Sequence, residues 1–504
     1  MVSAAEKNKT VAHDTFDAAM RPPSLAIDDA HPTLTIAEAE EEEKQLLRKI
    51  DRRLVPCVWL MYLFSYLDRS NIGNAYTGGM GTDLKMDSNH YSIVLLVFFA
   101  TYVTFEVPSN MLLTRVRPSI YLPTLMFLWG GLSMCFAAAK NWQTIAALRV
   151  VLGALEAGFA PGVLFLLSSW YKRGELARRY SLYYSAVAIS GMFGGLIAGG
   201  LLQKLDGAHG IAAWKWLFII EGAATCGVAV AAVFVLPDFP ATTRWLSPRE
   251  RAIASRRLAL DSVGSAQGGD EDITHTQAAK MAFFDWRTWC FVFLYMLTTG
   301  SQTIQYFVPE LVKSMGYKGF HVQYMTAPIY AVALAAILGF CFSSDLRKER
   351  AFHLATASAI AVVSFACLIG VLDHKGRYVL LCFGVAGVYA ACPLVSIWVS
   401  NAIPHPSEKR AVVQAFVNGM GNSASLYGSY LFNKGDKNYN RKGFGVTMAF
   451  MLLAVVMSLV IRHLLAKYPY PEMQSVGDAD SANSPDSGNG SRLNVDHDDI
   501  KNKA

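Results

Sequence analysis

The sequence predicts an all-α membrane protein with twelve transmembrane helices in two six-helix halves. Hydrophobic residues make up 53% of the 504-residue chain, charged residues make up 17%, and the mean hydropathy is +0.28. This composition is typical of polytopic membrane proteins. The apolar residues fall into long runs, and a run of about 20 residues crosses a bilayer as a helix. A polar stretch near the middle of the chain separates six such runs from six others.

Six apolar runs occupy the N-terminal half, which we place at residues 44–236. They lie near residues 54–76, 91–113, 119–139, 144–170, 180–202 and 214–236. The stretch 237–285 is polar and contains the Gly- and Ser-rich segment 264–269, so it predicts a central cytoplasmic loop. The C-terminal half, residues 286–467, repeats the plan. Its runs lie near residues 286–308, 322–343, 353–372, 378–400, 411–432 and 446–466.

Both ends of the chain are polar. Residues 1–43 end in an acidic run and residues 468–504 are rich in Ser, Asp, Gly and Asn, so we expect both to be disordered cytoplasmic termini. No apolar core with a small-residue cleavage site precedes the first span, which is therefore expected to direct insertion. Placing both termini inside leaves most dense Lys and Arg clusters on the cytoplasmic side, as the positive-inside rule requires. We expect the protein in the plasma membrane.

Composition and spacing exclude several function classes. The net charge of +6 is spread over short basic clusters between apolar runs, so nucleic acid is not an expected partner. The eight cysteines lie in apolar segments without a Cys-x-x-Cys pair, which predicts neither disulfides nor metal ligands. The spans contain no His cluster, metal-ligand spacing or nucleophile motif. We expect no enzyme activity, no metal and no cofactor, and a lipid bilayer as the surroundings.

An acid and a base lie side by side in the first span, Asp68 and Arg69. Each charged side chain in a span costs at least about 2.5 kcal/mol on the insertion scale, so both are expected to face protein or a water-filled cavity. Such residues usually mark a functional site. Tyr66, two residues earlier, is a candidate to place its hydroxyl in the same cavity.

The fourth span carries a second acid and a second base, Arg149 and Glu156. They are seven residues apart and so project from one face, about 10 Å apart along the axis. Asp68 lies 15 residues from Arg53 at the inner edge, roughly 22 Å, and Glu156 lies 16 residues from Lys172, roughly 24 Å. The two carboxylates are therefore predicted at similar depth in the membrane.

Two interpretations of these four charges remain open. In the first, they form structural ion pairs that hold the first span to the fourth. In the second, Arg69 binds a carboxylate substrate through two parallel hydrogen bonds, and protonation of Asp68 or Glu156 removes an internal competitor for it. Proton and anion then travel together, and one proton cancels the cost of about 2.3 kcal/mol per 100 mV for moving a negative charge inward. This favours proton-coupled symport of a small organic anion.

Polar residues in two other spans are candidates for supporting roles. Glu106, near the inner end of the second span, is interpreted as part of an inner gate or as a structural partner of basic loop residues. Asn418 and Asn422 are four residues apart on one face of the eleventh span. They are candidates for hydrogen bonds to the substrate, or for hydrogen bonds between helices.

Two motifs carry a resemblance to a known family. They are residues 66–75, with the sequence YLDRSNIGNA, and residues 149–162, with the sequence RVVLGALEAGFAPG. The chain resembles the major facilitator superfamily and, within it, the anion:cation symporter branch with the fungal allantoate permease-like transporters. The resemblance implies that Arg69 binds the substrate carboxylate, that Asp68 and Glu156 carry coupling protons, and that Arg149 organises them. It implies a vitamin acid, an allantoate-like anion or another organic acid as substrate.

The family's loop signature also implies a possible gating residue. The signature between the second and third spans is degenerate here, whereas residues 339–350, with the sequence GFCFSSDLRKER, match it better between the eighth and ninth. Asp345 is the acid of that match.

Two alternatives to import remain. An efflux pump would export a secondary metabolite against protons, but pumps of this superfamily usually carry Gly-Pro-x-x-Gly-Gly in the fifth span. Here residues 190–195 read SGMFGG and lack the proline, which favours import. A nutrient sensor built on a transporter fold would need a longer signalling tail or loop than this chain shows, so it is the weaker alternative.

Overall fold

The computed structural model describes residues 36–113, 116–266, 275–403, 407–432 and 440–470, and the regular structure of these residues is helical. The first half contains α1 (Ile36–Ala75), α2 (Ser88–Leu113), α3 (Pro118–Cys135), α4 (Trp142–Glu156), α5 (Phe159–Ser168), α6 (Arg173–Lys204) and α7 (Ala213–Val235). Two helices follow, α8 (Pro248–Ala266) and α9 (His275–Phe284). The second half contains α10 (Trp286–Gln302), α11 (Val308–Ser314), α12 (Thr326–Arg347), α13 (Ala351–Gly370), α14 (His374–Ala402), α15 (Ser407–Gly428) and α16 (Arg441–Lys467).

Among the described residues, nine helical segments are long and apolar enough to cross a membrane. They comprise α2, α3, α4 with α5, α6, α7, α12, α13, α14 and α16. The other three predicted spans correspond to α1, α10 with α11, and α15. These three are more polar because they carry buried groups such as Arg69, Gln302 and Ser425 that face other helices. The predicted all-α membrane fold is confirmed, and twelve spans fit it.

Helix pairing repeats between the two halves. In the first half α1 packs on α6, α2 on α4, and α3 on α7. In the second half α10 packs on α15, α12 on α14, and α13 on α16. The same span positions are paired each time, which is the internal repeat found in many transporter folds.

Contacts between the halves run mainly along two helix pairs, α6 with α12 and α2 with α15. Glycines of α6 permit the first of these approaches. A Cβ added at Gly191 would lie 2.6 Å from Cδ1 of Tyr330, closer than real side chains come. Glycine at this position of α6 therefore allows the close contact between the halves.

The helix α1 begins earlier than the sequence indicates. Residues 36–43 are helical, so the predicted disordered terminus does not extend to residue 43. The acidic residues there have basic partners from distant parts of the chain. Glu42 accepts a hydrogen bond from Arg249 at 2.7 Å, and Glu43 accepts one from Lys172. The remaining predicted tail residues, 1–35 and 471–504, lie outside the described residues.

The predicted central loop contains two helices. The first, α8, is anchored to α1 by an ion pair between Lys49 Nζ and Glu250 Oε1 at 2.7 Å. The second, α9, packs against α15, where the rings of Phe283 and Phe416 lie 6.2 Å apart. We call the membrane surface at which α1 enters and α16 ends the terminal face, and the other surface the opposite face. The helices α8 and α9 lie at the terminal face, and residues 267–274 between them are outside the described residues.

Candidate functional site

The centre of the site is an ion pair between α1 and α4. Arg69 Nε donates to Glu156 Oε2 at 2.6 Å, and the two side chains are 8% and 0% exposed. The chain bends just after Glu156, where Gly158 separates α4 from α5. A Cβ at Gly158 would lie 2.6 Å from Cβ of Ser109 on α2, so glycine lets α2 approach this bend. The sequence predicted similar depth for Asp68 and Glu156, and the residue after Asp68, Arg69, is the one in direct contact with Glu156.

Aromatic rings surround the remaining surface of the Arg69 guanidinium. Its Cζ lies 4.6 Å from the ring centre of Tyr102, 5.3 Å from that of Tyr66 and 5.8 Å from that of Phe98. Such faces attract a cation without using its N–H groups. Among the described residues, Arg69 Nη2 and Glu156 Oε1 have no hydrogen-bond partner. The guanidinium therefore keeps donor capacity for another acceptor.

Asp68 points in a different direction from Arg69. Its Oδ2 accepts hydrogen bonds from Trp129 Nε1 at 3.2 Å and from Thr225 Oγ1 at 3.0 Å, on α3 and α7. Consecutive residues of a helix are about 100° apart, so neighbours in sequence face different helices. The hypothesis that Asp68 competes for Arg69 is therefore not supported by the contacts. Of the two acids, Glu156 is the one in contact with Arg69.

Arg149 is buried without a direct acidic contact. It is 1% exposed, and its Cζ lies 5.3 Å from the ring centre of Phe98 and 5.7 Å from that of Phe136. Within the described part of the chain, its Nε and Nη2 have no hydrogen-bond partner. Arg149 shares a helical face with Glu156, two turns away. Its positive charge therefore acts on the Glu156 carboxylate electrostatically, without a hydrogen bond.

A small cavity of about 40 Å³ lies beside Arg69 between the two halves. Its wall is rich in tyrosines, and Tyr66 is among them as the sequence indicates. Asn418 and Asn422 line it from the second half. Three tyrosines of α6 were not predicted, although their spacing of three and four residues marks one helical face: Tyr180, Tyr183 and Tyr184. An engineered protein cavity that binds one benzene has about 150 Å³, so an organic acid requires this cavity to enlarge.

The two amides of α15 bind an acid of the other half. Asn418 Nδ2 donates to Glu106 Oε1 at 3.3 Å, and Asn422 Nδ2 donates to Glu106 Oε2 at 3.4 Å. The alternative of hydrogen bonding between helices is therefore realised here. Among the described residues, the hydrogen-bond partners of Glu106 are these two amides, and its partnership with basic loop residues stays a prediction.

Asp345 lies apart from the cavity, at the terminal face. Its Oδ1 forms an ion pair with Arg350 Nη2 at 2.5 Å across the connection between α12 and α13. The side chain of Asp345 is 39% exposed. It is thus close to a loop rather than to the substrate cavity.

Hydrogen bonds between the halves close the cavity toward the opposite face. Tyr91 Oη donates to the carbonyl oxygen of Tyr306 at 2.8 Å, and Gln323 Nε2 donates to Thr77 Oγ1 at 2.8 Å. A Cβ at Gly73 would lie 2.7 Å from the Tyr306 carbonyl oxygen. These contacts were not predicted, because periodicity within one span does not show which span of the other half lies against it.

A cavity between two repeated helical halves, crossed by contacts that join them, defines a membrane transporter. The chain belongs to the Major Facilitator Superfamily, whose family model matches residues 58–429. It is 37% identical over 372 residues to the MFS transporter prlL of Fungal sp. (strain NRRL 50135), covering 72% of this chain and 74% of the relative. It is 28% identical over 422 residues to a putative tartrate transporter of Agrobacterium vitis, covering 83% and 92%.

The fold is also similar to solved structures of a bacterial homologue of the human lysosomal transporter Spinster. The inward-facing, unoccupied form gives a TM-score of 0.65 at 14% identity, and covers 83% of this chain and 98% of that one. Because the sequence identity is only 14%, this structural similarity shows a shared fold and nothing further. The sequence-based resemblance to the superfamily and the expectation of a transporter rather than an enzyme are confirmed.

Proposed function

We propose that the protein is a proton-coupled symporter of a small organic anion that carries a carboxylate. The observation that carries the proposal is the buried pair of Arg69 and Glu156 at the edge of the cavity. Arg69 gives one N–H to Glu156 and keeps Nη2 without a hydrogen-bond partner in the described residues. A guanidinium fork is the group best suited to a carboxylate ligand.

The coupling follows from charge balance. The pair of Arg69 and Glu156 is neutral, so an added anion would leave a net negative charge in a buried site, which is costly. Protonation of Glu156 removes that charge and weakens its hold on Arg69. The substrate carboxylate then replaces Glu156 on the guanidinium. Proton and anion are therefore bound together.

Asp68 is proposed as a second coupling residue with a different action. As a carboxylate it accepts hydrogen bonds from Trp129 on α3 and Thr225 on α7. Hydrogen bonds to an ionised acceptor are about twice as strong as neutral ones. Protonation of Asp68 therefore loosens α1 from α3 and α7. Arg69 is the next residue of α1, so the loosening reaches the substrate site directly.

We propose gating roles for the contacts between the halves. Separation of Glu106 from Asn418 and Asn422 would open the terminal side and free both amides for the substrate. The ion pair of Asp345 with Arg350 would hold the connection between α12 and α13 during this change. The moving bodies are the halves 44–236 and 286–467, joined by residues 237–285.

The terminal face is proposed as cytoplasmic, in the plasma membrane. Lys49, Lys172, Arg179 and Arg257 lie at this face, which agrees with the positive-inside rule. The relative named as a putative tartrate transporter supports a carboxylate substrate. The motifs around Asp68 and Glu156 are the basis on which we propose the anion:cation symporter branch.

Export of a larger metabolite is the second candidate. The tyrosine-rich cavity wall favours it, because aromatic faces stack on rings as well as around a cation. A transporter-like nutrient sensor is the weaker alternative.

The test is uptake of a labelled organic-acid panel into vesicles that contain the purified protein, with an imposed proton gradient. The proposal predicts accumulation that follows the gradient. Arg69→Lys should lose it, because lysine keeps the charge but not the fork. Arg462→Ala is the matched control, since Arg462 is exposed on α16.

Transport only against the proton gradient would favour export. Absence of transport by the folded wild type for the whole panel would favour the sensor.

A further inference from the structure

A second acid is buried close to Asp68, and the coupling scheme above does not use it. Glu221 lies on α7 and is 2% exposed. Within the described residues, neither of its carboxylate oxygens has a hydrogen-bond partner. Nearly all buried polar groups in proteins are hydrogen-bonded, to protein or to ordered water, so an acid without partners calls for an explanation.

Glu221 lies next to the Asp68 hydrogen bonds. Thr225, which donates to Asp68, is four residues further along α7 and shares a helical face with Glu221. Glu221 is thus about 6 Å closer to the opposite face than Thr225. The charges of Glu221 and Asp68 interact.

A third polar group continues the same row on α1. Asn71 follows Asp68 by three residues, toward the opposite face, and is fully buried. Its Oδ1 and Nδ2 also lack hydrogen-bond partners in the described residues. On α1 and on α7, therefore, a polar side chain three or four residues nearer the opposite face than the Asp68 hydrogen bond is buried without a partner in the described residues. Such sites are where proteins hold internal water.

The charges around Glu221 favour its protonated form. The helix α7 packs on α1, α3 and α6, and the titratable side chain that these helices place beside it is Asp68, which accepts a hydrogen bond from Thr225. Within the described residues, no basic side chain forms a hydrogen bond with Glu221. An unpaired buried carboxylate next to a second acid is unfavourable, so Glu221 has reason to carry a proton whenever Asp68 is ionised.

We propose that Glu221 is a proton relay that loads Asp68 from the opposite face, through water held at Asn71. The proposal rests on the proposed proton coupling and deepens it. In the transfer, the O–H bond of Glu221 breaks as an O–H bond forms on the Asp68 carboxylate. Glu221 is left as a carboxylate, which takes a new proton from water on the opposite side. No other reactant is required.

The test compares two activities of Glu221→Gln in vesicles with the labelled acid that the wild type accumulates. Proton-driven accumulation should fall by about 100-fold, the scale at which a positioned acid or base contributes to proton transfer. Exchange of external for internal labelled acid needs no net proton transfer, so it should stay close to wild type. Glu221→Asp should restore part of the accumulation, and Glu250→Gln at the terminal face is the matched control.

A second measurement works without any substrate. Difference infrared spectra of the purified protein should show the carbonyl band of a protonated carboxylic acid that is lost in Glu221→Gln. Wild-type-like accumulation by Glu221→Gln, or an unchanged carbonyl band, would overturn the relay. Equal loss of exchange and accumulation in both variants would also overturn it, because that result indicates a packing role. Absence of proton-driven accumulation in the wild type would instead refute the proposed function itself, and the relay with it.

Discussion

Replacing Glu156 with Gln should tighten anion binding while weakening its dependence on pH. Glutamine has the size and neutral charge of protonated glutamic acid, so it imitates the state proposed to release Arg69. In the wild type, protons are needed to reach this state, and binding strengthens as the pH falls. In the variant, this state is permanent, so the part of the pH dependence that comes from Glu156 should be lost and only the smaller part from Asp68 should remain.

The magnitude follows from the contact that the substrate has to displace. Arg69 Nε and Glu156 Oε2 are 2.6 Å apart in a buried site. A hydrogen bond that involves charged groups contributes about 1.5–3 kcal/mol net, so its loss as a competitor should tighten binding roughly 10- to 150-fold at neutral pH. Removal of one partner of a buried ion pair also costs about 3–5 kcal/mol of stability, so a lower Tm is expected without bound anion.

The assay is equilibrium binding of the labelled anion to protein in lipid nanodiscs over a range of pH. Glu250→Gln is the control, since it removes the carboxylate of a more exposed ion pair at the terminal face, away from the cavity. Weaker binding in Glu156→Gln, or a pH dependence equal to that of the wild type, would refute the displacement mechanism.

Two further predictions concern the contact between the halves and the terminal face. Gly191→Ala places a Cβ against the ring of Tyr330 and should shift the protein toward the form open at the opposite face. Cysteine labelling at that face measures the shift. Gly131→Ala is the control and should cause no shift, because a Cβ added there has no atom within 4 Å. Burial raises the pKa of Glu43, but Lys172 and a neighbouring arginine outweigh it and hold that pKa below the usual range. This stabilisation is present above the unfolded pKa of about 4.3 and is lost as the pH falls through the lower folded pKa. Glu43→Gln should therefore lower Tm slightly at pH 7 and not at acid pH, and an equal shift at both would contradict the ion-pair account.

The fold, and the charged residues of the first and fourth spans as the site, could be predicted from the sequence. Apolar runs located the spans because bilayer thickness sets their length. Counting residues from the inner edge put the carboxylates of Asp68 and Glu156 at similar depth, and Arg69, the residue after Asp68, is in contact with Glu156. Depth along a helix is readable because the rise per residue is constant.

The partners of the other charges were not readable. Asp68 binds Trp129 and Thr225, and no pattern within one span shows that the third and sixth spans lie against the first. For the same reason, the hydrogen bond from Asn422 to Glu106 between the two halves could not be predicted. Local composition likewise gave no sign that α8 would be anchored to α1. These contacts depend on how helices assemble, which is set by packing over the whole molecule.

The central claim is that one substrate anion and a proton cross together. It is tested most directly by following the internal pH of vesicles that contain the protein, with no initial pH gradient, after the anion is added outside. The account predicts acidification inside with the wild type and none with Arg69→Lys. An internal pH that stays constant while labelled anion enters, or that rises, would contradict symport.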